Sequence, residues 1–324
     1  MNRQISQTTG ILIVNGGRDP QQGRWLPLCI NNIIRHTVAG SYHLYVWNNS
    51  TRDHTVKALL APLDTVTLTQ CPANAELAHC HATPLHTLYE MARADGIQSI
   101  VVMDSDAHPV HHDWLPRLTA ALDDGAALAG VWRDELAPAI APYLHASCLA
   151  ARADFIEGYN LRLDVIPGMK DGQRSDTLSL FTRTAQEHGE TIFKLRRSNQ
   201  RNYHPLLGGI YGDLVYHHGA GSRPRVAFWG QTISKEVLRR NRAVIDMATR
   251  LLFTQHDDYM AWLRGKEVSR ETQDAMAVLV GMAEESLDDG TSQPRHPSPP
   301  GRGFPQRLRA MLGRIAAAGR PGKP

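Results

Sequence analysis

The chain has 324 residues, of which 42% are hydrophobic and 21% charged, and it contains four cysteines. This length and composition exclude a disordered, fibrous or small disulfide-rich protein and predict one large or two modest globular domains. No apolar run approaches the roughly 20 residues that a membrane-spanning helix needs. The formal net charge is +3, but residues 291–324 carry seven basic side chains and no acidic one, so residues 1–290 carry −4. The charge therefore does not indicate nucleic-acid binding by the chain as a whole, and no nucleic-acid partner is expected.

Short β-branched runs alternate with amphipathic stretches over the first 132 residues. The predicted strands are residues 11–15, 43–47, 64–68, 99–103 and 127–132, and the predicted helices between them are 24–36, 51–61, 84–95 and 114–123. Strands that alternate with helices of this length predict βαβ units, and hence an α/β fold with a mainly parallel sheet flanked by helices. Ligands of such sheets bind beyond the carboxyl ends of the strands, so the loops after Asn15, Trp47 and Met103 form the predicted site.

The pattern loosens after residue 132. Helices are predicted at 153–157 and 176–188, and strands at 191–195 and 210–217. From about residue 231 to 287 the pattern is helical, with Val237, Val244 and Leu251 spaced seven residues apart, which predicts a helical appendage packed on the sheet. The predicted division of the chain is an α/β domain (1–225), a helical appendage (226–290) and a basic tail (291–324).

The tail contains seven prolines and five glycines, a composition typical of disordered segments. Within it, Phe304, Leu308, Met311 and Ile315 fall on one helical face with arginines around it. Such a helix can lie on an anionic membrane surface, so peripheral membrane contact and a solvated tail are the two alternatives. We expect a cytoplasmic protein, because the cysteines form no C-x-x-C pair and the apolar segment 11–14 is too short for a signal peptide.

An apolar predicted strand ends in two carboxylates, Asp104 and Asp106, separated by Ser105. In an extended segment residues i and i+2 point to the same side, so the two carboxylates are predicted to face one ligand. A divalent cation that bridges to phosphate oxygens would relieve their repulsion, and oxygen ligands suit Mg²⁺ or Mn²⁺. A polar turn at the end of a strand is the alternative, since D-x-D is a common tripeptide.

At the end of a strand in a parallel α/β pattern, this D-x-D resembles the D-x-D of glycosyltransferases with the GT-A fold, which is Rossmann-like. The resemblance is strongest to glycosyltransferase family 2. Four other segments resemble motifs of that family in the same order, namely residues 11–15, 46–51, 176–189 and 211–222. They correspond to the first strand, the segment that cups the nucleobase and ribose, the helix that carries the base, and the late strand that ends in a metal-binding histidine. The resemblance covers about residues 10–225 and implies that residues 1–225 form a GT-A domain.

The resemblance implies transfer of a sugar, with inversion, from a nucleotide-sugar donor to a hydroxyl acceptor, with Mn²⁺ or Mg²⁺ as cofactor. It implies donor binding by Asn15, Asn48, Asp104, Ser105, His145 and Arg223, metal binding by Asp104, Asp106 and a late histidine (His217 or His218), and proton acceptance by Asp176. A cation there would neutralise charge on the departing diphosphate. The acceptor hydroxyl would need a base on the opposite face of the sugar.

Several assignments stay open at the level of sequence. Only one of His217 and His218 can face the site in an alternating strand, and the spacing does not decide which. Asp171 and Glu135 are the alternatives to Asp176 as the base. Asn48 stands where the family usually has a carboxylate, so the nucleobase is open, as are the sugar and the acceptor, which is a glycan, a lipid-linked saccharide or a small molecule.

Two other functions are compatible with these residues. A nucleotidyltransferase would share the sheet and the metal carboxylates, although the lysine of its Gly-rich signature loop is missing. A catalytically silent carbohydrate-binding module would keep the fold without the chemistry. A zinc site is not expected at residues 79–81 or 108–112, because the sequence has no H-E-x-x-H motif and no paired C-x-x-C motif.

Overall fold

The computed structural model describes residues 9–16, 23–49, 55–71, 81–135, 141–165, 176–201, 207–219 and 234–287. All of them belong to one compact unit, Met1–Asp289. The predicted tail lies outside the described residues, so its disorder and its membrane contact stay predictions. Among the described residues, no helix is both long enough and apolar enough to cross a membrane.

The described strands are β1 (Thr9–Asn15), β2 (Tyr42–Asn48), β3 (Val66–Gln70), β4 (Ser99–Val102), β5 (Ala107–Pro109), β6 (Leu128–Arg133), β7 (Tyr143–Arg152), β8 (Ile192–Leu195), β9 (Gly209–Tyr211) and β10 (Val215–His217). The described helices are α1 (Trp25–His36), α2 (Thr55–Leu60), α3 (Ala82–Ala94), α4 (Trp114–Asp123), α5 (Ala153–Gly158), α6 (Ser179–Glu187), α7 (Lys235–Thr254), α8 (His256–Leu263) and α9 (Arg270–Leu287). The structure contains all nine elements predicted up to residue 132. Eight of them have boundaries within two residues of the predicted ones. The exception is α2, which was predicted at 51–61 and is described from Thr55.

A seven-stranded sheet in the order β3-β2-β1-β4-β7-β6-β8 forms the centre of the described residues. Strand β7 runs antiparallel to its neighbours β4 and β6, and the other pairings are parallel. The predicted α/β fold with a mainly parallel sheet is therefore confirmed. Because β1 pairs in parallel with both β2 and β4, the carboxyl ends of these strands meet at one edge of the sheet.

Helices cover both faces of this sheet, which explains why its central strands are continuously apolar rather than alternating. On one face, Ile11 of β1 shares a core with Ile30 of α1 and Trp114 of α4. On the other face, Leu12 of the same strand shares a core with Leu88 of α3 and Phe181 of α6. Successive residues of β1 thus point into two different cores, as the pleat of a strand requires.

Strand β7 was not predicted from the sequence. Its ten residues include small side chains such as Ala146, Ser147 and Cys148, so hydrophobic alternation is weak although nearly every position is buried. The small residues let β6 and β7 approach closely at a bulge, where Gly130 adopts a φ of +148°. A Cβ on Gly130 would lie 2.1 Å from the carbonyl oxygen of Cys148, so only glycine fits there.

The single strand predicted at 210–217 is wrong. The chain forms a hairpin of β9 and β10, which pairs through β10 with β5 in a second, antiparallel sheet. The chain reverses at Gly212 and Asp213, whose φ angles are +57° and +60°. Positive φ at both central residues is typical of the two-residue turns that match the twist of a hairpin.

Helices α7–α9 form the predicted helical appendage, and Val237, Val244 and Leu251 are buried as predicted. Val244 and Leu251 belong to a third core that also contains Tyr216 of β10 and Trp25 of α1. The appendage therefore packs against the second sheet and the start of α1. The division at residue 225 falls outside the described residues and stays a prediction.

Candidate functional site

The D-x-D lies in a tight turn rather than in an extended segment. The Ala107 N–H donates to the Asp104 carbonyl at 3.0 Å, so the chain turns directly from β4 into β5. The two carboxylates were predicted to face one ligand because residues i and i+2 of a strand point to the same side. That reason is wrong, because Asp104 and Asp106 lie in a turn. Both carboxylates nevertheless approach the same imidazole. His217 Nε2 lies 3.8 Å from Asp106 Oδ1, and ligand atoms of Asp104, His145 and His217 lie within 4.8 Å of one another.

His145 on β7 lies between two carboxylates. Its Nδ1 accepts a hydrogen bond from the Ser147 N–H at 3.0 Å and lies 3.8 Å from Asp104 Oδ2. Its Nε2 lies 3.6 Å from Asp176 Oδ2. Because Nδ1 accepts, the proton of the neutral ring is at Nε2, where it faces Asp176. The His145 imidazole thus lies between Asp104 of the D-x-D and Asp176, the predicted base.

Asp176 lies three residues before α6 and is held by three donors. The Tyr143 hydroxyl donates to Oδ2 at 2.7 Å, and the Thr177 N–H donates to Oδ1 at 2.8 Å. Burial opposes ionisation of this carboxyl, but hydrogen bonds from His145, Tyr143 and the Thr177 N–H hold its pKa well below the usual range. The side chain is still 45% exposed, so a ligand can reach it from solvent.

Asn15 and Asn48, predicted to bind the donor, come together at the ends of β1 and β2. The Asn15 amide donates to Asn48 Oδ1 at 2.9 Å, and the Asn48 amide donates to Gln70 Oε1 at 3.0 Å. Both asparagines are buried, and Asn15 Oδ1 has no hydrogen-bond partner in the part of the chain that the structure describes. The ends of β1 and β2 are thus joined by side-chain hydrogen bonds, and Asn15 Oδ1 is an acceptor without a partner among the described residues. Ser105 lies in the turn between the two aspartates, and the donor-binding prediction for it stays untested.

The structure separates the two late histidines. His217 faces Asp106, and its ring centroid lies 4.8 Å from that of His145. His218 points the other way, where its Nδ1 lies 2.8 Å from the Tyr216 hydroxyl and its Nε2 lies 3.3 Å from Thr249 Oγ1.

His218 is also fully buried, with its ring 4.5 Å from that of Trp25, and burial lowers its pKa to about 3. Both of its ring nitrogens have protein partners and neither faces the D-x-D. The metal-ligand prediction for His218 is corrected accordingly, because this side chain, which directly follows β10, points into the core.

Arg133 and Glu135 at the end of β6 form a buried ion pair, with Arg133 Nε 2.5 Å from Glu135 Oε1. The Tyr211 hydroxyl donates to the same oxygen at 2.6 Å. Burial opposes ionisation of Glu135, but the charge of Arg133 and the Tyr211 hydroxyl hold its pKa below the usual value. Glu135 Oε1 therefore faces both Arg133 and Tyr211, and the role of Glu135 as an alternative base stays a prediction. Sequence analysis considered Glu135 but missed Arg133, whose R-x-E spacing was the available signal.

Several residues do not join this cluster. Arg223 and Asp171 lie outside the described residues, so their roles stay predictions. His111, His112 and Asp113 form a second group with the geometry of metal ligands, but all three are exposed. An open cavity of about 450 Å³, lined in part by Asn31, Arg35, Phe253 and His256, lies between α1 and the start of α8 and does not include the cluster.

The donor set of the cluster fits a divalent cation. Asp104, Asp106 and Asp176 bring three carboxylates around two imidazoles, while the charge of Arg133 is balanced by Glu135. Negative charge in a partly buried site is costly unless it is compensated, and a cation compensates it. Carboxylate oxygens suit Mg²⁺ and Mn²⁺, and imidazole nitrogens extend the choice toward transition metals.

Comparisons with known proteins give similarity in structure only. No protein-family model matches the sequence, and the search of curated proteins gives no match. S. aureus TarS 1-349 is similar with a TM-score of 0.44 and 10% identity, over 88% of this chain and 82% of that chain. The same TarS fragment in complex with UDP-GlcNAc gives a TM-score of 0.42 at 10% identity over the same shares of the two chains.

A Desulfovibrio desulfuricans G20 protein, provisionally described as a nucleotide-diphospho-sugar transferase, gives a TM-score of 0.38 at 10% identity. That similarity covers 58% of this chain and 79% of the other.

The placement of His218 generates a prediction about stability. The folded protein keeps this ring neutral down to about pH 3, whereas an unfolded histidine takes up a proton near pH 6.5. The contribution of His218 to stability is therefore complete above about pH 6.5 and falls by about 1.4 kcal/mol per pH unit below it. We expect His218→Gln to lower the free energy of unfolding by about 1–3 kcal/mol at pH 7. This difference should vanish and then change sign as the pH falls toward 4, because the wild type loses about 3.5 kcal/mol over that range.

Urea unfolding of wild type and variant at several pH values measures this difference. His112→Gln is the matched control, because the side chain of His112 is 76% exposed; we expect no loss of stability at any pH. A difference between wild type and His218→Gln that stays constant with pH would contradict the buried, neutral state of His218.

Proposed function

We propose that this protein is a metal-dependent, inverting glycosyltransferase that moves a sugar from a nucleoside-diphosphate donor to a hydroxyl acceptor. The observation that carries the proposal is the grouping of Asp104, Asp106, His145 and His217 at the carboxyl end of β4, with the accessible carboxylate of Asp176 on the far side of the His145 ring. The order of the sequence motifs supports the same function. A single metal site without a second carboxylate would support binding, but not transfer.

The donor side of the site is formed by the D-x-D and its imidazoles. Asp104 and Asp106 would hold the cation, with His217 as a nitrogen ligand. The His145 ring lies beside them, with its two nitrogens turned to the Ser147 N–H and to Asp176. When bound there, a divalent cation supplies positive charge against the diphosphate that leaves. Asp104 and Asp106 are partly buried, with side chains 21% and 10% exposed, so solvent screens their charge incompletely and their hold on a cation is strengthened. Asn15 and Asn48, at the neighbouring strand ends, are proposed to contact the nucleoside.

The acceptor side is formed by Asp176. Because its pKa is held low, this carboxylate is ionised at all physiological pH values, and for the same reason it is a weak base. It can take the proton only when bond formation to the sugar has made the attacking hydroxyl strongly acidic. Proton transfer is thus expected late in a displacement with oxocarbenium character. Tyr143 and His145 keep the carboxylate oriented toward that hydroxyl.

A screen of sugar nucleotides with Mn²⁺ or Mg²⁺ tests the proposal. We expect Mn²⁺ together with a nucleoside diphosphate to raise the Tm by about 5 °C or more when the ligand is near 100 times its Kd. Asp106→Asn is expected to abolish this rise, because it removes one negative charge from the cation site. Asp123→Asn is the control, since Asp123 is exposed at the end of α4 and lies in neither group with metal-ligand geometry. A normal rise in Asp106→Asn would show that the site is misplaced.

The same screen separates the alternatives. Release of pyrophosphate from a nucleoside triphosphate and a sugar phosphate would identify a nucleotidyltransferase. Sugar binding without turnover of any donor would identify a silent carbohydrate-binding module. Either outcome would replace the proposed transfer reaction.

Asp176 gives a second prediction about the reaction. We expect Asp176→Asn to reduce kcat by roughly 10²- to 10⁴-fold, with donor affinity nearly unchanged, because the amide cannot accept the proton. Tyr143→Phe removes one donor to the ionised carboxylate, so it raises the pKa of Asp176 and moves the acid limb of the kcat profile to higher pH. Steady-state kinetics across pH measure both effects. Normal turnover in Asp176→Asn would remove this residue as the base.

A further inference from the structure

Arg133 is a buried cation that points at His217, and the proposed reaction leaves it without a role. Its Nη1 lies 3.5 Å from His217 Nδ1, and its side chain is 12% exposed. A guanidinium has only donors and stays protonated in proteins, so the side of His217 that faces it must be a lone pair. A proton on Nδ1 would instead meet the N–H groups of Arg133. The contact therefore favours the neutral ring with its proton at Nε2.

The network around Arg133 keeps it in this position. Glu135 holds Arg133 Nε at 2.5 Å, and the Tyr211 hydroxyl holds the same Glu135 oxygen at 2.6 Å. Arg133 and Glu135 come from the end of β6, while Tyr211 and His217 come from β9 and β10. The network thus joins the central sheet to the second sheet beside the D-x-D. Glu135, which is itself held by Tyr211, limits how far the Arg133 guanidinium can follow the imidazole if the ring moves.

Nε2 of His217 faces Asp106 Oδ1 at 3.8 Å. A cation that binds His217 through Nε2 needs the lone pair of that nitrogen. The Nε2 proton must then leave, and Nδ1 must become protonated through solvent if the ring is to stay neutral. Protonation of Nδ1 breaks the contact with Arg133. Arg133 therefore favours the His217 ring with its proton at Nε2, whereas a cation bound at Nε2 favours the ring with its proton at Nδ1.

We propose that Arg133 is a positioning residue that holds His217 in the form protonated at Nε2, so that a divalent cation gains His217 as a ligand only by breaking this contact. The first half of the proposal concerns the metal-free protein and does not depend on the function proposed above. The second half rests on the proposed cation site. In the metal-free protein the result is an imidazole that donates toward Asp106, and Arg133 weakens cation binding until His217 is released.

The form of the His217 ring can be measured directly. Long-range ¹H–¹⁵N correlation spectra of metal-free, ¹⁵N-labelled protein distinguish protonated from unprotonated ring nitrogens, and His217→Gln assigns the signals. We expect an unprotonated Nδ1 and a protonated Nε2 in the wild type, and loss of this preference in Arg133→Met. A structural role alone would not set the tautomer. A wild-type ring protonated at Nδ1 would overturn the proposal.

Titration of Mn²⁺ alone, followed by calorimetry, tests the competition. We expect Arg133→Met to tighten Mn²⁺ binding by roughly 3- to 10-fold, because the competing hydrogen bond is gone. In the His217→Gln background the same substitution should have no effect on the Kd. Tightening that persists without His217 would mean that Arg133 acts only as a remote charge, and would overturn the competition. Weaker Mn²⁺ binding in Arg133→Met would also overturn it.

Two further variants keep the test decisive. Arg196→Met is the matched control, because Arg196 forms an exposed ion pair with Asp134, the residue next to Arg133, and it should leave the Mn²⁺ affinity unchanged. If Arg133→Met fails to fold because Glu135 is left buried and unpaired, Arg133→Met with Glu135→Gln removes both charges and should give the same tightening. Failure of the wild type to bind Mn²⁺ would refute the cation site and the second half of the proposal, while the spectra still decide the first half.

Discussion

Repulsion between two carboxylates at the tip of one strand is the constraint on which the rest of the site depends. Asp104 and Asp106 are partly buried where the chain turns sharply, so solvent screens their charges incompletely. Imidazoles lie beside both carboxylates. His81 lies 3.4 Å from Asp104, and His217 lies 3.8 Å from Asp106. These imidazoles moderate the repulsion only in part, and the proposed divalent cation would relieve the remainder.

The sheet topology delivers these groups from distant parts of the sequence. Strand β7 inserts antiparallel between β4 and β6, which brings His145 beside the D-x-D. The hairpin of β9 and β10 pairs with β5 directly after the D-x-D, which brings His217 to the other side. The turn after parallel strand β4 thus provides the D-x-D carboxylates, and antiparallel strands β7 and β10 provide His145 and His217. Neither half alone has the geometry of a metal site.

Sequence analysis predicted the parallel part of the fold well and the antiparallel part poorly. Buried parallel strands such as β1 are continuously apolar, and that signal is strong. Strand β7 is rich in small residues that fit against the bulge at Gly130, so its pattern carries little signal. The D-x-D, Asp176 and His145 could be named from motifs. The sequence could not show which of His217 and His218 faces the site, because His218 is held by Thr249 of the distant helix α7. It also could not show the hydrogen bond from Tyr211 to Glu135, which joins residues 76 positions apart.

The central claim is that the turn after β4 binds a cation that carries a nucleoside diphosphate. Anomalous diffraction from crystals grown with Mn²⁺ and a nucleoside diphosphate tests it most directly. A manganese peak is expected about 2.0–2.3 Å from a carboxylate oxygen of Asp104 or Asp106, with an imidazole in the same coordination shell and diphosphate oxygens opposite. A peak confined to the exposed group of His111, His112 and Asp113, or a diphosphate bound away from the turn, would contradict it.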